Sequence, residues 1–318
     1  MPPPLYTQNV VAFIWDFDRT LIPDNMQGPL FEFYGVDEGS FWEEVNGLVG
    51  FHAERGEVLS RDMAYLLHIL EYTASGAFKG LSNQKLKELG ADLVPVPGIP
   101  EFFESVRQRA ADVPAYAKEN ISVEHYVVST GLRPMIEGSL VYGHLDGVWA
   151  SSFVEHAAGE GYGEHLNFAD DPGETSIRHV GDFVGNTTKT KAIFEINKGV
   201  NVNPGIDVNA QMTEDQRRVP LRNMVYIADG PSDVPVFSIL NKAGGKTLGV
   251  YNIEPRSNYK QLKQLADQGR IQGMAEADFR EGEAAHLWLM DSFDQIATEI
   301  VENRTRALDA IKNPPGHV

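Results

Sequence analysis

The sequence predicts an α/β protein with a doubly wound, mostly parallel sheet and an inserted helical unit. Two observations carry this prediction. Short apolar runs bounded by turn residues indicate buried strands, and segments with helical spacing of apolar residues lie between those runs. Alternating strands and helices are typical of right-handed crossovers, with helices on both faces of the sheet. The clearest strand candidates are Val10–Trp15, Tyr126–Val128, Met224–Ala228 and Thr247–Tyr251.

Helical spacing recurs at three places between or after those strands. Phe102–Val106 follows Pro100, and a proline in the first turn suits a helix start. The other two helices are expected to begin after Lys189 and after Tyr259, where apolar residues repeat every three or four positions.

The stretch from residue 27 to residue 93 differs from the rest, because helical spacing continues there without any strand pattern. A chain of 318 residues is also long enough for about two domains. We therefore expect a core of residues 1–26 and 94–318, with residues 27–93 inserted as a helical unit. Two polar segments, Ser151–Thr188 and Asn203–Arg222, are expected to be surface excursions without an assigned role.

Composition excludes several classes of protein. The chain has no cysteine, which excludes disulfides, thiolate metal sites, iron–sulfur clusters and a cysteine nucleophile, and which fits a cytoplasmic location. Its net charge of −18 disfavours binding to nucleic acid or to an anionic membrane. The beginning of the sequence lacks the basic and apolar regions of a signal peptide, and the early apolar run at Val10–Trp15 is too short to span a membrane.

Two carboxylates follow the first strand. Asp16 and Asp18 come directly after the apolar run that ends at Trp15, in the segment Asp16-Phe17-Asp18-Arg19-Thr20. Two acids at the end of a buried strand lose hydration and repel one another, which destabilises the fold. Their presence there therefore indicates a functional site. In open α/β sheets, ligands bind at the carboxyl ends of strands. The alternative is a surface turn that happens to carry two acids.

A second pair of acids follows the strand Met224–Ala228. Asp229 ends that strand, and Asp233 lies four residues further on, after a glycine turn. Hard oxygen ligands from two strand ends suit Mg²⁺, so the sequence predicts a magnesium site that draws on Asp16, Asp18, Asp229 and Asp233. Taken alone, this segment is equally typical of an ordinary Asp-Gly turn.

Two weaker patterns point to an anion. Ser129, Thr130 and Gly131 follow an apolar strand, and hydroxyls and free amides at such a turn can hold phosphate oxygens. Lys189 would be the first residue of a helix, where its positive charge is unfavourable next to the helix dipole. The position is explained if the lysine faces an anion or carboxylates. We prefer Lys189 to Lys191, because the next apolar residues then lie on the packed face. Loop chemistry and a solvated lysine are the alternatives.

These motifs, in this order, resemble the haloacid dehalogenase superfamily. Asp16-x-Asp18-x-Thr20 matches its first motif, Ser129 the second, Lys189 the third, and Asp229 with Asp233 the fourth. The resemblance spans nearly the whole chain and implies a Rossmann-like core. The helical insertion between the first and second motifs resembles a type-1 cap, as in phosphoserine-phosphatase-like members.

The resemblance implies an Mg²⁺-dependent phosphatase that acts on a small phosphorylated metabolite. Asp16 would be the nucleophile, and Asp18 the general acid and then the general base. Asp16, Asp229 and the main-chain carbonyl of Asp18 would bind the metal. Ser129, Thr130, Gly131 and Lys189 would bind the phosphoryl group, and Asp233 would hold metal-bound water or Lys189. A phosphotransferase or phosphomutase, and a catalytically silent binding protein, are the alternatives.

The resemblance does not extend to the substrate. Phosphoserine phosphatases carry a glutamate five residues after the motif threonine, where this chain has Asn25, so phosphoserine is disfavoured. Arg19 is an unusual residue in the motif and is expected to be solvated or paired with the cap. Within the cap, we consider Trp42, His52 and Arg55 as substrate contacts, although packing or surface roles are the simpler expectation.

Overall fold

The computed structural model describes residues 7–156, 176–253 and 256–312. Its centre is one sheet of seven strands, in the order β4-β3-β2-β1-β5-β6-β7. All neighbouring pairs are parallel except β3 with β4. The predicted fold class is confirmed. The strands are β1 Val10–Trp15, β2 Ser122–Leu132, β3 Gly147–Val154, β4 His179–Asp182, β5 Met224–Ala228, β6 Lys246–Tyr251 and β7 Gly273–Glu276.

Eleven α-helices accompany the sheet in the part of the chain that the structure describes. Six lie between β1 and β2, and the first four of these fall within residues 27–93, where no strand occurs, as expected. None of the described helices combines the length and the apolar character that crossing a bilayer requires. The helices are α1 Gly28–Tyr34, α2 Glu38–Ala53, α3 Arg61–Ser75, α4 Asn83–Gly90, α5 Glu101–Asp112, α6 Pro114–Lys118, α7 Arg133–Gly138, α8 Lys189–Lys198, α9 Val234–Lys242, α10 Arg256–Asp267 and α11 Ala284–Lys312.

Strand β1 lies at the centre of the sheet, and all six of its residues are buried. It pairs in parallel with β2 on one side and β5 on the other, so that Trp15 lies opposite both Val127 and Ile227. Burial on both faces explains why its sequence is a continuous apolar run rather than an alternating one. The shared register brings the carboxyl ends of β1, β2 and β5 to the same edge of the sheet.

Helix α4 approaches the backbone of α7 closely, and two glycines permit this. A Cβ atom on Gly90 would lie 2.1 Å from the carbonyl oxygen of Met135, and one on Gly138 would lie 1.8 Å from that of Lys87. Any larger residue would separate the two helices. The helical stretch is therefore attached to the rest of the molecule through backbone packing at α4, next to the end of β2.

Three strands did not appear among the sequence predictions. The expectation that Ser151–Thr188 is a surface excursion is wrong at both ends of the segment, because β3 extends to Val154 and β4 pairs with it in antiparallel fashion. Residues 157–175 lie outside the described residues. Strand β4 has no buried residue, and β7 has only four residues, so neither produces an apolar pattern. Strand β2 also begins four residues earlier than the predicted Tyr126–Val128.

Candidate active site

Three carboxylates meet at the carboxyl ends of β1 and β5. One carboxylate oxygen from each of Asp16, Asp229 and Asp233 lies within 4.8 Å of the other two. The register of the strands explains this. The backbone N–H of Asp16 donates to the carbonyl of Ile227 at 2.8 Å, so β1 and β5 end side by side. Asp233 arrives from the turn that precedes α9 and is fully buried.

A single lysine contacts this group of acids. Lys189 is the first residue of α8 and is fully buried. Its Nζ lies 2.7 Å from Oδ1 of Asp233 and 3.1 Å from Oδ2 of Asp16. Lys191, in contrast, has a side chain that is 64% exposed and pairs with Glu195 at 3.6 Å. The ammonium group among the carboxylates is therefore that of Lys189.

Asp233 is fixed by two hydroxyls in addition to the lysine. The hydroxyl of Tyr226 donates to its Oδ1, and the hydroxyl of Ser232 donates to its Oδ2 at 2.6 Å. Burial raises the pKa of Tyr226 well above its usual value, and the neighbouring carboxylate of Asp233 adds to the shift, so this hydroxyl stays a proton donor. These contacts fix the carboxylate of Asp233, which in turn holds the ammonium group of Lys189.

The site carries an excess of negative charge. Burial raises the pKa of Asp16; Lys189 opposes this shift, and Asp233 adds to it. Burial also raises the pKa of Asp229, with Asp233 as the next contributor. Burial opposes the charged form of Lys189 too, but Asp16 and Asp233 outweigh it and raise the lysine pKa above its usual value. The ammonium therefore stays protonated, and one positive charge faces three carboxylates.

Asp18 lies beside this group rather than within it. Its Oδ1 accepts a hydrogen bond of 2.9 Å from the backbone N–H of Met26. Burial, followed by the charge of Asp16, raises the pKa of Asp18 to about 7. A carboxyl with a pKa near neutrality can both donate and accept a proton at physiological pH. The chain reverses directly after it, at Arg19, whose φ of 58° lies in the left-handed region.

The end of β2 forms the next part of the site. The pairing of β2 with β3 is irregular between Val128 and Leu132, so the intervening residues leave the regular ladder. Ser129 is buried, and its hydroxyl accepts from the backbone N–H of Gly131 at 3.0 Å. A Cβ atom on Gly131 would lie 2.2 Å from the terminal methyl of Met26, so a larger residue here would displace that side chain.

A cavity of about 270 Å³ opens onto Asp18 between the sheet edge and the helices α2 and α3. Its sheet side includes Asp18, Thr130 and Gly131. Helix α3 closes the opposite side, where the hydroxyl of Tyr65 donates to the carbonyl of Thr130. The remaining lining residues are Asn25, Gln27, Trp42, Val45, Asn46, Val49, Arg61, Asp62 and Asn186.

The predicted residues of the helical stretch have different locations. Trp42 lines the cavity, whereas His52 and Arg55 do not. His52 contacts the carboxylate of Glu57, and the guanidinium of Arg55 lies 3.5 Å from the ring centre of Phe51, at the exposed end of α2. Gln27, Asn46 and several other lining residues were not identified from the sequence, because they lie neither at a predicted strand end nor in a motif.

The acids at the strand ends fit a divalent cation. Three oxygen donors within 4.8 Å of one another match the hard ligands that such ions prefer. Lys189 contacts Asp16 and Asp233, whereas the carboxylate of Asp229 makes no hydrogen bond to any residue that the structure describes. A cation would supply the missing positive charge next to Asp16 and Asp229.

Comparison with known proteins identifies the family. Residues 13–238 match the model of the haloacid dehalogenase-like hydrolases. An uncharacterized protein of Borreliella burgdorferi is 37% identical over an alignment of 290 residues, and the match covers 89% of this chain and 96% of that protein. The chain therefore belongs to the haloacid dehalogenase-like hydrolase family, as the sequence motifs indicated, and it is an enzyme of the hydrolase class.

A solved structure has the same fold. A Vibrio cholerae chain described as a “probable phosphoserine phosphatase” superimposes with a TM-score of 0.51 at 15% identity, over 93% of this chain and 68% of that one. A haloacid dehalogenase family hydrolase of Salmonella enterica serovar Typhi gives 0.49 at 12% identity, over 86% and 68%. At such identities the likeness concerns the fold and leaves the substrate open.

Proposed function

We propose that this protein is an Mg²⁺-dependent phosphatase that hydrolyses a small phosphomonoester through an aspartyl-phosphate intermediate. One observation carries the proposal. The carboxylates of Asp16, Asp229 and Asp233 and the ammonium of Lys189 gather at one sheet edge, beside a cavity that opens onto Asp18. Phosphoryl transfer depends mainly on positioning and charge neutralisation, which this arrangement supports.

Each residue has a proposed task in the reaction. The carboxylate of Asp16 attacks phosphorus, and the bond from phosphorus to the alcohol oxygen breaks. Asp18, in its protonated form, gives its proton to the leaving alcohol. The resulting Asp18 carboxylate then takes a proton from a water molecule, which attacks the aspartyl phosphate and releases inorganic phosphate. Its pKa of about 7 suits both steps.

The remaining groups neutralise the phosphoryl oxygens. Lys189, Ser129, Thr130 and Gly131 would contact them, and Asp233 would keep Lys189 in position. Asp16, Asp229 and the main-chain carbonyl of Asp18 would hold the magnesium ion, which would supply positive charge to the phosphoryl group. Residues 27–93 would form a cap on the core of residues 1–26 and 94–318, and would exclude water from the cavity.

A phosphatase assay tests this proposal. Wild-type protein with Mg²⁺ should hydrolyse p-nitrophenyl phosphate, and EDTA should abolish the activity until Mg²⁺ is restored. Asp16→Asn removes the nucleophile and should lower kcat by a factor on the order of 10⁴ or more. The control is Asp24→Asn, an exposed acid in the same loop, which should retain wild-type activity. Full activity of Asp16→Asn, or of wild type in EDTA, would contradict the proposal.

A further inference from the structure

Four of the residues that line the cavity carry side-chain amides. Asn25, Gln27, Asn46 and Asn186 all line it. None of these four carboxamide groups donates to, or accepts from, another residue in the ranges that the structure describes; the hydrogen bond of Asn186 to Asp62 uses its backbone N–H. Four amides around one small cavity thus have hydrogen-bonding capacity that the protein itself does not use.

Gln27 is the most informative of the four, because it is only 3% exposed. Its backbone carbonyl receives hydrogen bonds from Leu30 and Phe31 at the start of α1, which fixes the residue in place. Buried carboxamides nearly always have hydrogen-bond partners, since leaving one unpaired is costly. The carboxamide of Gln27 has no protein partner among the described residues and lines the cavity, so water or a ligand there supplies the partner, and a ligand with matching groups can use it.

The charges that line the cavity are balanced. Apart from Asp18, to which we assign the proton transfers, its charged lining residues are Asp62 and Arg61, one acid and one base, both on α3. The carboxylate of Asp62 accepts the backbone N–H of Asn186 at 3.2 Å. The lining therefore has no excess of either charge for an ammonium or a second anionic group of the substrate.

A carboxamide offers both a donor and an acceptor, and a hydroxyl does the same, so the two groups are well matched. The wall also has an apolar part formed by Trp42, Val45 and Val49. The indole N–H of Trp42 is used by Glu38 at 3.1 Å, which leaves its ring surface for packing. Amides beside an aromatic ring suit a molecule that carries hydroxyls at its edge and C–H groups on its face.

We propose that the phosphate ester is that of a small neutral polyol or sugar, and that Gln27, with the neighbouring carboxamides, binds its hydroxyls. This inference rests on the proposed phosphatase function and assigns the substrate class of that site. A volume of about 270 Å³ is close to the lower limit of about 300 Å³ for small-molecule sites, so the alcohol is of metabolite size.

A substrate panel with the wild-type protein and Mg²⁺ is the first test. Fructose phosphate and glycerol phosphate represent the proposed class. Phosphoserine and phosphocholine carry an ammonium group, and phosphoglycerate carries a second anion. We expect kcat/KM for the better polyol or sugar phosphate to exceed that for the charged esters by about 100-fold or more, because sites built for hydroxyls discriminate strongly. Equal or better use of a charged ester would overturn the inference.

Variants of Gln27 test the residue itself. Gln27→Leu should lower kcat/KM for the preferred polyol or sugar ester by about 10- to 100-fold, with a smaller loss on p-nitrophenyl phosphate, which has no hydroxyls. Gln27→Glu keeps the size and shape of the side chain and should reduce the same preference, which separates lost hydrogen bonding from misfolding. Gln264→Leu, at an exposed position on α10, is the matched control and should retain wild-type rates.

The outcomes separate the two proposals. If the wild type does not hydrolyse p-nitrophenyl phosphate, the proposed function fails. If it does, but the polyol and sugar esters are not preferred or the preference survives in both Gln27 variants, only the substrate class fails. Calorimetry of fructose phosphate with Asp16→Asn adds a readout without turnover. Binding should weaken about tenfold when Gln27→Leu is added, and unchanged binding would contradict the role of Gln27.

Discussion

The two sides of the cavity are built from different chemistry. The sheet side presents Asp18, Thr130 and Gly131 to the cavity, and beside Asp18 lies a buried charged cluster in which Lys189 contacts both Asp16 and Asp233. The helical side has apolar side chains and the amides of Gln27 and Asn46, and its charged lining residues are Arg61 and Asp62. His52 and Arg55 lie outside the cavity. Under our two proposals, the sheet side would carry out the reaction and the helical side would select the substrate.

The energetic cost of the two sides also differs. Buried charges are stable only when they are paired, so removing one partner on the sheet side should destabilise the whole fold. Unpaired amides on the helical side are costly individually but leave the fold intact when replaced. Substitutions on the sheet side should therefore change stability and rate, whereas those on the helical side should mainly change substrate preference.

The largest effect is expected from Lys189→Met. This change leaves the carboxylates of Asp16 and Asp233 buried without their ammonium, which should cost about 3–5 kcal/mol of unfolding free energy. Urea unfolding measures the loss. The matched control is Lys191→Met, whose exposed pair with Glu195 should contribute about 0.5 kcal/mol or less. Equal losses in the two variants would remove the distinction between the buried and the solvated lysine.

Asp18→Asn should separate rate from stability. The amide cannot exchange the proton that the leaving alcohol and the water require, so kcat for p-nitrophenyl phosphate should fall by about 10²–10⁴. Burial raises the pKa of Asp18, so its ionised form opposes folding above pH 7, and the variant should be no less stable than wild type there. A variant that unfolds more easily and keeps its rate would contradict this assignment.

Magnesium affinity should depend on pH. Burial raises the pKa values of Asp16 and Asp229, so each binds a proton at a higher pH than an ordinary aspartate does. A protonated carboxyl is a poor metal ligand, so affinity should rise with pH, by up to about tenfold per unit for each proton released. Calorimetry at about pH 6 and pH 8, in buffers of different ionisation enthalpy, measures both quantities. An affinity that stays constant, without proton release, would argue against the raised pKa values.

A smaller effect is expected where the two sides meet. Tyr65→Phe removes the hydroxyl of α3 that donates to the carbonyl of Thr130, and should cost about 1 kcal/mol and raise KM. Tyr72→Phe is the control, because its hydroxyl donates to Glu44 within the helical stretch, at 2.8 Å. If KM rises equally in both variants, the Tyr65 contact has no special role in closing the cavity.

The smallest effect is expected from His52→Ala and Arg55→Ala. Both side chains lie outside the cavity and contact residues of their own segment. Rates with every ester should stay within about twofold of wild type, as is usual for surface substitutions. A selective loss of activity with one ester would return these residues to the list of substrate contacts.

The sheet side was largely predictable from the sequence, for a physical reason. Strands β1 and β5 are buried on both faces, so each is a continuous apolar run, and the acids that end them stand out. Parallel neighbours then bring Asp16 and Asp229 to one edge. The same reasoning failed for β4, an edge strand with little burial and hence no apolar signature.

The helical side was not predictable in the same way. Gln27 is a single polar residue in a turn before α1, and nothing in its neighbours marks it as buried. Asn186 lies in the turn before α8, and its backbone N–H donates to Asp62 of α3, a contact between segments far apart in the sequence. His52 and Arg55 looked equally suitable as substrate contacts, since a helical pattern does not show where a helix ends relative to a cavity. Such placements depend on tertiary packing.

The most direct test of the account is to find the covalent intermediate. Wild-type protein turning over p-nitrophenyl phosphate with Mg²⁺ would be quenched in acid and digested, and the peptide that contains Asp16 analysed by mass spectrometry. The account predicts a phosphoryl group on Asp16, absent from Asp16→Asn and accumulating in Asp18→Asn, where its hydrolysis is slowed. A phosphoryl group on another residue, or turnover without any phosphorylated peptide, would contradict it.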